Sequence, residues 1–83
     1  MEKKQQKRVV IFTTSTCSWC RRAKQYLKEN KVRFREVDVG RNPSAAKDLV
    51  RVSGQRGVPV LLINNRPIVG FDKQQIDRLL GLR

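Results

Sequence analysis

The segment Thr16-Cys17-Ser18-Trp19-Cys20-Arg21-Arg22 holds both cysteines of the chain, with two residues between them. It follows an apolar run directly and opens a helical pattern, so the two thiols fall at a helix N-terminus. Residues three apart on a helix are neighbours, and little backbone movement is needed to join their sulfurs. The first helical turn also carries unpaired N–H groups and the positive end of the helix dipole, both of which stabilise a thiolate. An ordinary thiol ionises near pH 8.5, so a site of this kind brings the attacking form toward neutral pH. The chemistry implied is reversible thiol–disulfide exchange. The chain contains no histidine, which excludes a Cys–His hydrolase. The competing reading, two buried structural cysteines, fits poorly with placement at a helix start.

The elements around the pair follow from patterning. Val9-Val10-Ile11-Phe12 is continuously apolar, as in a strand buried on both faces, and Thr13 to Thr16 form the loop that delivers Cys17. From Ser18 to about Asn30 the spacing is helical, with Cys20, Ala23, Tyr26 and Leu27 on one stripe. Cys20 therefore faces inward while Cys17 stays accessible. Residues 32–39 alternate with period two and read as a half-covered strand. Asn42-Pro43 supplies an N-cap and a first-turn proline for a second helix, which places Ala46, Leu49 and Val50 inward and stops at Gly54. Two further strands, 58–63 and 67–69, are joined by Asn64-Asn65-Arg66, and asparagine tolerates the positive φ of a tight turn. Asp72 with Gln75 resembles a capping box for a last helix carrying Ile76, Leu79 and Leu80. The order is βαβαββα: a right-handed βαβ unit followed by a hairpin that extends the sheet in antiparallel fashion.

A chain of 83 residues reads as a single domain, 1–83, with a frayed basic start at 1–7. No stretch approaches the roughly 20 apolar residues of a membrane span, and the basic start with its short apolar run does not read as a signal peptide. One closely spaced cysteine pair is not a secreted disulfide framework, so a reducing cytoplasm is expected. The net charge of +12 points to an acidic partner, an anionic thiol or nucleic acid, or simply to a solvated basic surface. Basic residues run from Lys3 to Arg83, densest over 21–35, and such dispersal argues against a dedicated nucleic-acid-reading helix.

The element order, the cysteine pair after the first strand, the segment Ser53-Gly54-Gln55-Arg56-Gly57-Val58-Pro59-Val60 and the segment Val69-Gly70-Phe71-Asp72 together resemble the glutaredoxin family. The likeness covers the chain from Val9 onward and is greatest to the small glutaredoxin-like redoxins, including those that serve ribonucleotide reductase. It implies an α/β, thioredoxin-like fold: a four-stranded mixed sheet flanked by three helices. It makes Cys17 the nucleophile and Cys20 the resolving thiol of a dithiol protein-disulfide oxidoreductase. Pro59 matches the family's cis-proline, which lies against the disulfide, leaves the Val58 backbone to pair with an extended substrate and obstructs metal approach. Gly70, Phe71 and Asp72 match the segment that holds the γ-glutamyl end of glutathione, Arg56 is placed to reach its glycyl carboxylate, and Trp19 offers a flat contact surface.

The chain departs from glutathione-using members at three places: Thr14 stands where a lysine is common, Gly57 where a threonine precedes Val-Pro, and Val69-Gly70 where a Gly-Gly pair is usual. The expectation is a monomer without bound cofactor that reduces disulfide-containing proteins or glutathione mixed disulfides. Its electrons come either from thioredoxin reductase or from glutathione, as co-substrate, with its reductase. No buried acid precedes the cysteines on the first strand, so the helix N-terminus and Arg21, Arg22 and Arg56 are expected to activate Cys17. A second reading stays open: paired glutaredoxin-like chains with Cys-Ser-aromatic-Cys resemble those that hold an iron–sulfur cluster between subunits with glutathione as co-ligand. One chain supplies only two of the thiolates such a cluster needs. A nucleic-acid-binding module would rest on charge alone.

Overall fold

Apolar residues on both faces place β1 (Val9–Thr13) in the interior of the sheet. In the computed structural model, which describes residues 7–82, β1 pairs in parallel with β2 (Arg35–Asp38) and antiparallel with β3 (Val60–Ile63). β3 in turn pairs antiparallel with β4 (Arg66–Val69), giving the order β2-β1-β3-β4. Three helices complete the expected βαβαββα order: α1 (Ser18–Glu29), α2 (Pro43–Ser53) and α3 (Lys73–Leu80). Among the described residues no helix is long and apolar enough to cross a membrane.

Period-two alternation splits the strands between two cores. Val9, Ile11, Leu61, Ile63 and Ile68 meet Ala23 and Leu27 of α1 and Ile76 of α3. On the other face Phe12 and Val60 meet Leu49 of α2, with Val10, Val37 and Leu62 packed around them. Burying each large aliphatic side chain contributes about 1.5–3 kcal/mol, and here both faces draw on β1 and β3. α1 is thereby fixed across the sheet with its N-terminus at the C-terminal end of β1.

Local chemistry sets the boundaries. Asn42 caps α2 by accepting from the Ala45 N–H at 3.2 Å, and Gly54 ends it at φ 76°, a left-handed conformation open to glycine. Asn64 and Asn65, at φ 49° and 69°, make the two-residue turn between β3 and β4. Asp72 caps α3, accepting from the Gln75 N–H at 3.2 Å and from the Gln75 amide at 2.9 Å. The second bond goes to the carboxylate and not back to the Asp72 N–H, so the capping box is closed differently from the usual reciprocal form.

Several expectations are corrected. The paired strand begins at Arg35, not 32, because the Val32 N–H bonds to the Leu27 carbonyl at 2.9 Å in closing α1 and is lost to the ladder. β3 begins at Val60, because proline has no N–H to give at 59 and its carbonyl instead accepts from Gly70. α2 buries Ala45 and Leu49, with Val52 partly buried, while Ala46 is half-buried and Val50 is 41% exposed. Packing of Leu49 and Val52 against Phe12 and Val60 sets that rotation, since 45, 49 and 52 share one face. Thr13 belongs to β1 and not to the loop. The basic start falls mostly outside the described residues; Lys7, however, is tied down by a 2.7 Å bond to the Leu79 carbonyl. Beside it, Arg8 exchanges backbone and side-chain bonds with Asn64.

Candidate active site

Cys17 is the N-cap of α1, with extended backbone (φ −96°, ψ 110°), and its Sγ accepts the Cys20 N–H at 3.1 Å. A sulfur thus occupies the capping position that Ser, Thr, Asp or Asn usually fills, where a negative charge is favoured. The same thiol points to the Val58 carbonyl, 3.9 Å away. Both thiols are free, Cys17 partly exposed and Cys20 only 1% exposed. Burial first, then the hydrogen bond with Cys17, push the Cys20 thiol up to about 12; the Thr14 backbone and the charge of Lys24 pull the other way. The helical stripe read from sequence therefore does separate the two sulfurs by accessibility.

A continuous rim of expected site residues surrounds Cys17. The Val58–Pro59 bond is cis and Pro59 is buried. The Pro59 carbonyl accepts the Gly70 N–H at 2.8 Å, joining the proline loop to the segment before α3. Gly70 adopts φ 83°, which turns the chain so that Phe71 lies 6.4 Å, centroid to centroid, from Trp19. Phe71 also contacts Tyr26 at 5.6 Å, and Arg22 and Lys73 lie over the Trp19 and Tyr26 rings at 5.1 and 5.3 Å. Trp19 itself is 56% exposed. Asp72 is beside this rim with both oxygens on Gln75, whose amide and N–H hold its carboxyl below the usual range. Arg56, two residues before Val58, lines a groove of about 490 Å³ along α2 with Val39, Ala46, Lys47, Leu49 and Val50.

Two polar arrangements escaped the sequence reading. The Tyr26 hydroxyl donates to the buried Asp77 carboxylate, tying α1 to α3. Thr13, on β1, donates its hydroxyl to Glu36 Oε2 at 2.8 Å, and Lys24 donates to the same oxygen at 2.9 Å. The Lys24 ammonium, then the Thr13 hydroxyl, hold the Glu36 carboxyl below the usual range. Lys24 is visible in the sequence one turn beyond Cys20, but only the β1–β2 register brings Glu36 to it. Among the described residues no three His, Cys, Asp or Glu side chains converge as a metal site, so a cluster would need ligands from outside this chain.

Comparison with known proteins gives a consistent family. The sequence model described as Glutaredoxin matches residues 9–68. A glutaredoxin-like 8.6 kDa protein in a rubredoxin operon of Clostridium pasteurianum is 39% identical over 72 residues, covering 87% of this chain and 96% of that one. Glutaredoxin 3 of Escherichia coli K12 is 34% identical over 64 residues, 77% of each chain. Among solved structures, the glutaredoxin-like NrdH-redoxin of Escherichia coli, described as having a thioredoxin-like activity profile, superposes with a TM-score of 0.77 at 32% identity. That match covers 87% of this chain and 93% of the redoxin.

Proposed function

This chain belongs to the glutaredoxin family of thiol–disulfide oxidoreductases, and from that premise we propose that it is a dithiol reductase of protein disulfides. The observation that carries the reading is the asymmetry of the pair: Cys17 accessible at the helix N-terminus, Cys20 buried with its thiol pushed up to about 12. Cys17, as the thiolate, attacks one sulfur of the substrate disulfide; a mixed disulfide forms and the other substrate sulfur leaves as a thiolate that takes up a proton. Cys20 then loses its proton, attacks Cys17 Sγ and closes the Cys17–Cys20 disulfide, and the second substrate sulfur leaves as a thiol. The substrate gains two electrons and two protons, and the protein is left oxidised.

The high value for Cys20 supports this order, because a protonated resolving thiol does not compete for the incoming disulfide. The exposed Trp19 face, Phe71, Gly70 and the Val58 backbone offer a surface wide enough for a protein partner. The protein works as a monomer without resident cofactor in a reducing cytoplasm. Its electrons come from an NADPH-dependent thioredoxin reductase; the thioredoxin-like profile of the Escherichia coli redoxin and the departures at Thr14, Gly57 and Val69 support that donor. The test supplies oxidised protein with NADPH and thioredoxin reductase, or with glutathione, NADPH and glutathione reductase, and follows NADPH loss in the presence of insulin. Turnover with the first system is expected. Turnover with glutathione alone would reassign the donor, and turnover with neither would overturn the reading.

A further inference from the structure

Between α1 and the edge strand β2 lies an ion pair that the exchange cycle leaves unused. Thr13, only 1% exposed, anchors Glu36 through its hydroxyl, and the Lys24 ammonium meets the same carboxylate oxygen at 2.9 Å. The register sets Glu36 beside Ile11, on the sheet face that α1 covers. Lys24 stands four residues after Cys20 on α1, so its side chain shares a helix face with the buried thiol. The Lys24 side chain is three-quarters covered, at 25% exposure, and that of Glu36 is 40% exposed; the Lys24 charge is screened less than that of a solvated lysine.

One ammonium is thus bonded to an ionised carboxylate and stands one helical turn from a thiol that must ionise to resolve the mixed disulfide. We propose that Lys24 and Glu36 are positioning residues for the second step of exchange, Lys24 promoting attack by Cys20 and Glu36 restraining it. The inference rests on the thiol-exchange reading given above. The other groups acting on this site are Cys17 and the Thr14 backbone from the preceding loop and Lys28 one turn further along α1. Asp38, two residues on along β2, is taken by the Gly40 N–H at 2.9 Å and by Arg41 at 3.8 Å.

The two partners make opposite demands, and that supplies the test. Removing Glu36 leaves Lys24 uncompensated and makes the Cys20 anion easier to form; removing Lys24 does the reverse. A one-unit fall in thiol pKa raises the anion fraction tenfold, but nucleophilicity falls with it, leaving a gain of about three-fold. Reduced protein is mixed by stopped flow with an excess of dithiobis-nitrobenzoate, an aromatic disulfide that releases a coloured thiolate. In the first phase the Cys17 anion attacks the reagent, forming a mixed disulfide and releasing one aryl thiolate. In the second, Cys20 gives its proton to solvent, attacks Cys17 Sγ and releases the other aryl thiolate; the reagent accepts both electrons.

Across a pH series, Glu36→Gln is expected to speed the second phase about three-fold and Lys24→Met to slow it similarly. Lys24→Arg should keep the original rate, the double variant should return near it, and the first phase should hold throughout. Both single variants slowing the second phase, as loss of a merely structural ion pair would do, overturns the inference, as does no change in either. Should Lys24→Met fail to fold, the sign for Glu36→Gln decides alone. Absence of the first phase in the unaltered protein would instead mark failure of the exchange reading itself.

Discussion

Cys17 and Cys20 share one helical turn yet differ in kind, because one caps the helix and the other lies under it. The cap gives Cys17 an N–H donor and an open approach; the stripe gives Cys20 a dry position beside Ala23. Replacement should separate the two roles. Cys17→Ser is expected to abolish insulin reduction, because a hydroxyl at ordinary pH is no match for a thiolate. Cys20→Ser should still attack once and then stall, accumulating a mixed disulfide that mass spectrometry detects as one substrate adduct per chain. Full activity in Cys17→Ser would refute the assignment of the nucleophile. The sequence disclosed this pair directly, since spacing and helical periodicity are local. It did not disclose Glu36, because nothing local says which residue of β2 will stand beside Ile11.

At the scale of elements, each helix is started by a side chain of a different type: a thiol for α1, an amide for α2, a carboxylate for α3. The carboxylate titrates in the acid range and the amide does not titrate, and stability should register the difference. Asn42→Ala is expected to cost about 1 kcal/mol at any pH. Asp72→Ala should destabilise at neutral pH, but the penalty should fade as pH falls. The folded carboxyl lies below its usual value of 3.8, so its contribution is complete above that value and disappears as acid protonates the folded form. Urea unfolding of both variants at neutral and acid pH checks this, and a constant penalty for Asp72→Ala would contradict it. These caps were legible because an N-cap and its acceptor lie within one turn. The rotation of α2 was not, for Ala46 and Val50 satisfy the apolar pattern almost as well as Ala45 and Leu49; packing on Phe12 and Val60 chose between them.

For the molecule as a whole, the charge of +12 is the property that the site does not explain. Glu36, Asp38 and Asp48 are each paired with a lysine or arginine, so much of the acidic complement is already engaged. The surplus should speed encounter with acidic partners over a Debye length of about 8–10 Å. Raising salt is therefore expected to lower kcat/KM for an acidic disulfide protein several-fold while leaving a small neutral disulfide nearly unaffected. Equal salt dependence for both would show that the surface charge plays no part in recognition.

What the sequence determined by itself is whatever depends on neighbours within a turn or two: the cysteine spacing, the inward stripe of α1, the asparagine turn, the caps and the order of elements. Family likeness extended that reach to the cis bond before Pro59 and to the segment at Gly70 and Phe71. Tertiary structure decided the rest. Strand register brought Glu36 to Thr13 and Lys24, sheet packing turned Val50 outward, and the bond from Gly70 to Pro59 joined two distant segments into one rim. The physical reason is common to all three. Hydrophobic burial is non-directional, so a sequence can specify which residues go inside without specifying which of them meet. Hydrogen-bond registry and close packing across the sheet settle those meetings, and beside the cysteine-bearing helix they bring Lys24 of α1 to Glu36 of β2.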